Sequence, residues 1–223
     1  MWQTFYDVMI ARGRWALIPK GLSITVLIAF CALIIGSILG CVFALFKISK
    51  NRVLQKIANI YTTVIRGVPM ATQLMIFYFV VFSPMGFTNA VAVAIIAFGI
   101  NSGAYCTEIF RAGIQGIDSG QMEAGRSLGL SWWQTLIRII MPQAFRVILP
   151  TYTSEFIALI KETSVASFIA VSDLQKAGDN IRNTTFNAWI PLLSCAVIYL
   201  CLTVGLTKLF SILEKRMAQS DRN

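Results

Sequence analysis

Few residues in this 223-residue chain are equipped for chemistry. There is no histidine, the commonest general base, and no GxxxxGK[ST] phosphate-binding loop, so any ATP hydrolysis belongs to another subunit. The five cysteines (Cys31, Cys41, Cys106, Cys195 and Cys201) lie in or beside apolar runs without a CxxC pair. They read as small packing residues, and neither a catalytic residue nor a metal site is expected. What remains is charge within apolar sequence: Glu155, Lys161 and Glu162 in one stretch, Glu108 and Arg111 in another. An ionisable group at membrane depth costs about 2.5–3.5 kcal/mol on insertion scales, so it faces a partner or a water-filled cavity. Glu155 and Lys161 are six residues apart, roughly 240° around a helix, which leaves Glu155 without a partner on its own helix. That carboxylate either faces a central cavity, holding an ammonium or guanidinium group by a charge-assisted hydrogen bond, or pairs with another helix or lies near the membrane face. Glu108 and Arg111, at i and i+3, read as an intrahelical ion pair. Lys161-Glu162-Thr163-Ser164 combines charge with hydroxyls and suits an outer gate. Thr72, Gln73 and Ser102 interrupt apolar runs; they either line the same path or make hydrogen bonds between helices.

The elements that must position these groups are membrane helices. With 57% hydrophobic and 13% charged residues and a mean hydropathy of +0.70, the chain is too apolar for a soluble domain. Its net charge of +9 comes from basic residues flanking uncharged runs, which is membrane topology rather than nucleic-acid binding. An all-α membrane protein of about five spans is expected, as one transmembrane domain over 1–223. The first span is 21–46, where Gly36 and Gly40 form a GxxxG that allows close helix approach without naming its partner. Residues 67–107 carry no charge and are too long for one helix. The turn Ser83-Pro84-Met85-Gly86 divides them into spans at 61–82 and 89–110. The polar, basic stretch 111–146 is a structured loop outside the membrane, followed by a less hydrophobic span at 147–171 and a fifth at 183–207. Residues 1–20 lack a cleavable leader pattern. Trp2, Phe5, Tyr6, Met9 and Ile10 instead form one apolar stripe, as in an amphipathic helix at the bilayer interface. Lys47, Lys50, Arg52 and Lys56, the Arg126, Arg138 and Arg146 segment, and Lys208, Lys215, Arg216 and Arg222 place the amino terminus outside and the carboxyl terminus inside, against Arg12, Arg14 and Lys20.

The long internal loop carries the most specific pattern. It reads Glu123-Ala124-Gly125, three residues, Gly129, nine residues, then Ile139-Ile140-Met141-Pro142. The small pair Ala124 and Gly125 suits close packing, Gly129 suits a sharp helix end, and Pro142 limits the next helix. Two short helices crossing at a glycine would make a knob for a partner's groove, with Glu123 offering a charge-assisted contact. The spacing resembles the EAA loop of importer permeases driven by ATP-binding-cassette subunits, with Gly125 where that family has Ala and Met141 where it has Leu. Gly21-Leu22-Ser23-Ile24-Thr25, Ile65-Arg66-Gly67-Val68-Pro69, Gly103 to Arg111 and Lys161-Glu162-Thr163-Ser164 are similar to the polar amino-acid branch of these permeases.

That resemblance implies a permease subunit of an ATP-driven amino-acid importer in a bacterial plasma (inner) membrane. It implies a second identical or related permease chain, two ATP-binding-cassette ATPase subunits holding ATP and Mg, an extracytoplasmic solute-binding protein, and no cofactor bound by this chain. No receptor domain is expected within it. Glu123, Ala124, Gly125, Gly129 and Pro142 are then the ATPase-coupling residues. Glu155, Lys161, Glu162, Ser164, Thr72, Gln73 and Ser102 are the candidates for the substrate path. Two other readings fit the composition: an ion-coupled secondary transporter using Glu155 and Glu162, though no internal repeat is present, and a membrane scaffold or signalling subunit without transport.

Overall fold

A computed structural model describes residues 2–219; Arg222, which entered the topology reading above, lies outside the described residues. It is helical nearly throughout, with no strand among the described residues. The amino-terminal segment comprises α1 (Trp2–Phe5) and a π-helical turn, Tyr6–Ile10. Part of its apolar stripe is covered by protein: Val8 and Met9 are buried in a cluster with Ile181, while Trp2 stays 73% exposed.

Helix α2 (Leu17–Ile48) follows, then α3 (Arg52–Gly67). The second expected span does not run straight. At Val68-Pro69 the chain bends by 102° into α4 (Met70–Met75) and its continuation Ile76–Phe82. Pro69 supplies no backbone N–H and holds Val68 extended (φ −110°, ψ 134°), so the helix cannot continue through it. Gln73 repairs the break: its Nε2 donates to the carbonyls of Ile65 (2.6 Å) and Val68 (2.7 Å), which have lost their helical donors.

Helix α5 (Ala90–Gln115) starts with Asn89 Oδ1 accepting from Ala92 N. Next come α6 (Ser119–Ser127), α7 (Trp132–Thr135) and α8 (Met141–Glu162), the last two joined by a π-helical stretch, Leu136–Ile140. Pro142 therefore does not limit a helix as expected. It occupies the first turn of α8, where a missing N–H is tolerated, and the wider π turn precedes it. A 3₁₀ stretch, Thr163–Ile169, leads to α9 (Leu174–Thr185) and α10 (Trp189–Gln219).

Among the described residues, three helices are long and apolar enough to cross a membrane, Arg14–Ile48, Ala90–Gln115 and Trp189–Lys215, and the bent pair α3–α4 makes a fourth candidate. The most apolar window of α5 is 61% buried and that of α10 only 11%, so α5 is the central helix and α10 lies at the periphery. α5 packs along α2 through small residues. Gly36 lies against Ser102 and Gly103, and Gly40 against Cys106, where an added Cβ would come within 2.9 Å and 2.5 Å of the facing Cβ. This is the interface the GxxxG left unnamed. Close backbone approach supplies van der Waals contact that lipid cannot, since hydrophobicity alone does not drive helices together in hydrocarbon. Above this seam Ile28, Phe98, Leu74, Leu159 and Ile169 form the main apolar cluster.

Candidate functional site: a coupling knob and a polar seam

The knob forms where α6 meets the start of the α7–α8 rod. Asp118 caps α6 through its Oδ1, which accepts from Gly120 N at 2.7 Å. α6 ends in a Schellman arrangement: Leu130 N donates to Gly125 O (3.1 Å), Gly129 N donates to Arg126 O (3.1 Å), and Gly129 takes φ +85°. A side chain at Gly129 would be strained whatever the space around it. Ser131 opens α7 with a capping box: its Oγ accepts from Gln134 N, and its own N–H donates to Gln134 Oε1 at 2.8 Å.

Gly125 is buried against Thr135; a Cβ there would lie 2.5 Å from the Thr135 methyl group. The glycine that departs from the EAA pattern is thus matched by a β-branched residue filling the missing volume. Glu123 and Ala124 remain exposed. So do Leu128 (81%), Ile137 (62%) and Trp133 (56%), an unusual concentration of exposed apolar side chains on a polar loop.

Beside the loop, Glu108 accepts from Arg111 Nε (2.9 Å) and pairs with Lys47 of α2. The Glu108–Arg111 pair follows from i, i+3 spacing, while Lys47, 61 residues away in sequence, carried no signal that spacing could expose.

Farther along the seam, Ser102 Oγ on α5 donates to Glu155 Oε1 on α8 at 3.2 Å. Two residues singled out from sequence are thus brought together, and Glu155 has a hydrogen-bond partner on another helix. Ser102 is fully buried because Gly36 of α2 presses on it, so the small-residue seam fixes where the hydroxyl sits. One helical turn before Glu155, the Tyr152 hydroxyl hydrogen-bonds Ser37 Oγ, tying α8 to α2 as well. Arg66, which sequence reasoning placed only within a similar segment, lies over the Tyr105 ring at 5.0 Å.

The other candidates are dispersed. Gln73 is buried and occupied in closing the α3–α4 break; Thr72, Lys161 and Glu162 are exposed, and Ser164 is half-buried in the 3₁₀ stretch. No group of histidine, cysteine or carboxylate side chains among the described residues is arranged to hold a metal.

The link between the 3₁₀ stretch and α9 is anchored from three sides. Asp173 is fully buried and caps α9 through Oδ1, accepting from Lys176 N at 2.9 Å, while its Oδ2 has no partner among the described residues. Leu174 N donates to Thr25 Oγ1 (3.2 Å), Cys195 Sγ donates to Leu174 O (3.4 Å), and the Asp173 carbonyl leaves no room for a side chain at Gly21. Burial raises the Asp173 carboxyl to about 6, more than its backbone hydrogen bonds can offset.

Long apolar helices around a small-residue seam, joined to a polar knob with exposed apolar side chains, define a helical membrane domain that carries a structured polar loop. Residues 15–219 match the family described as binding-protein-dependent transport system inner membrane component, and the chain belongs to that family. It is 37% identical over 204 residues to a putative glutamine transport system permease protein of Rickettsia bellii, covering 91% of this chain and 94% of the relative. It is 38% identical over 205 residues to the arginine transport system permease protein ArtQ of Bacillus subtilis, covering 92% and 94%. Among solved structures, an amino acid ABC transporter crystallised with histidines superposes with a TM-score of 0.84 at 37% identity, over 90% of this chain and 94% of that one. The inward-facing MetNI methionine transporter shares the fold at 17% identity, with a TM-score of 0.81 over 94% and 97%. The resemblance drawn from the 123–142 loop holds at the level of the family.

Proposed function

We propose that this chain is the permease subunit of an ATP-driven amino-acid importer in a bacterial inner membrane. In this reading it pairs with an identical or related permease chain and docks two ATP-binding-cassette ATPases, which hold ATP and Mg. An extracytoplasmic solute-binding protein delivers the amino acid. The observation that carries the reading is the pairing of family membership with a knob whose apolar side chains are left exposed. Relatives bearing glutamine and arginine transport names support an amino-acid cargo. α8, which carries Glu155, Lys161 and Glu162, supplies the remaining crossing, and the amino terminus lies outside with the carboxyl terminus in the cytoplasm.

The mechanism is alternating access. Closure of the ATPase pair moves the knobs, held by Glu123, Ala124, Gly125, Gly129 and Pro142, and the rigid α7–α8 rod carries that motion to Glu155. Ser102 holds the Glu155 carboxylate at the seam, where it can accept a hydrogen bond from a substrate ammonium group. Thr72, Lys161, Glu162 and Ser164 lie along the same route, with the last three at its outer gate; Gln73 acts on the path by holding the α3–α4 bend. The test is uptake by the reconstituted complex: Glu155→Gln should raise the apparent KM at least tenfold, the order expected for losing a charge-assisted hydrogen bond. An unchanged KM would remove Glu155 from substrate binding while leaving the importer assignment intact.

A further inference from the structure

A pocket of about 630 Å³ opens where the end of α2 faces the knob. Leu45, Leu54, Lys50, Arg126, Trp132 and Trp133 are among the side chains that line it, and no carboxylate among the described residues does so. The two indoles meet edge to face at 4.7 Å. Lys47, one turn earlier on α2, is engaged by Glu108, whereas among the described residues neither Lys50 nor Arg126 has a carboxylate partner. Arg126 gives only Nη1, to Leu130 O at 2.9 Å, so most of its donors remain available.

Two cations without a carboxylate partner, sharing a pocket with apolar side chains, call for an amphiphile with an anionic head. The indoles belong to the same description, since tryptophan collects at the membrane–water boundary, where one end is apolar and the other wet. Basic pockets at the cytoplasmic ends of membrane helices are suited to lipid phosphate. A soluble anion would gain nothing from Leu45 and Leu54, and an acidic protein side chain would leave most of the apolar wall uncovered.

We infer that this pocket is a binding site for the headgroup and first acyl carbons of an anionic phospholipid, bridging α2 and the coupling knob. A lipid here joins the membrane-fixed seam to the element that moves with the partner subunits. The inference rests on the family's membrane placement and not on the amino-acid cargo.

The test uses the assembled transporter in bilayers containing either phosphatidylglycerol or phosphatidylcholine with brominated acyl chains, at equal mole fraction. The readout is the tryptophan quenching that disappears in a Trp132→Phe/Trp133→Phe variant. Each basic residue near a membrane surface is worth about fivefold in association, so quenching should report a preference for phosphatidylglycerol on the order of thirtyfold. Lys50→Gln/Arg126→Gln should abolish that preference; Lys50→Arg/Arg126→Lys, which keeps the charges, should retain it. Equal quenching by both lipids would overturn the inference, as would a preference that survives the glutamine variant. A preference seen only after the ATPases are stripped away would assign the pocket to the partner protein and overturn it equally.

Discussion

The α2–α5 seam and the coupling knob answer opposite demands with the same kind of residue. In the seam, Gly36 and Gly40 bring two long helices together until Ser102 and Cys106 fill the space between them. In the knob, Gly125 does the same for Thr135, yet around that single close contact almost everything else is exposed, from Glu123 and Ala124 to Leu128. A surface with both partners in hand is finished, and it fixes position. A surface with its apolar side chains turned outward is completed by another molecule and can be moved by it. In this chain the finished surface holds Ser102 against Glu155, and the open one begins the rod on which Glu155 stands.

The largest expected effect breaks the finished side. Gly40→Leu drives a side chain into Cys106, whose Cβ would lie 2.5 Å from the added Cβ. It should cost about 3 kcal/mol or more, seen as loss of the monodisperse folded species in detergent and a large fall in Tm. A Tm within a degree or two of wild type would mean that the seam is less tightly closed than described.

The Asp173 anchor should show itself through pH. Because burial raises Asp173 to about 6, the folded state holds a proton that the unfolded chain has released. Stability is therefore greatest below the ordinary carboxyl value near 3.8 and falls as pH rises through 6. Tm measured from pH 4.5 to pH 7.5 should decline more steeply in wild type than in Asp173→Asn, which keeps the cap and has no charge to acquire. Parallel curves would show that Asp173 does not titrate in this range.

The smallest effect on stability should be the most selective for the knob. Gly129→Ala forces a Cβ into the left-handed region at φ +85° and should cost about 1 kcal/mol. Since the strain falls at the turn between α6 and α7, the amino acid carried per ATP hydrolysed should drop while the Tm of the assembled complex changes little. A loss of transport matched by an equal loss of hydrolysis would place the damage elsewhere.

How much of this was legible in the sequence depended on the range of each contact. The Glu108–Arg111 pair, the Gly129 turn and the EAA-like spacing are local, and each leaves a trace at fixed offsets. Lys47 meeting Glu108, and Ser102 meeting Glu155 from 53 residues away, depend on helix packing that no single-chain periodicity encodes. The GxxxG of α2 declared a close approach but could not choose α5 over other helices, because glycine offers no chemistry to match. The break at Pro69 lay within a long uncharged run, where hydropathy reads continuity and only the proline argues against it. Gln73 reads from sequence either as a path-lining amide or as a hydrogen bond between helices; its carbonyl partners exist only once the helix has bent.

The most direct test of the knob as the ATPase docking surface is to identify by mass spectrometry what co-purifies with the tagged chain from gently solubilised native membranes, for wild type and Glu123→Arg. Wild type should retain an ATP-binding-cassette ATPase, and the variant should lose it while remaining folded, because Glu123 is exposed. An ATPase held equally by both, or none held by the wild type in several detergents, would contradict the account.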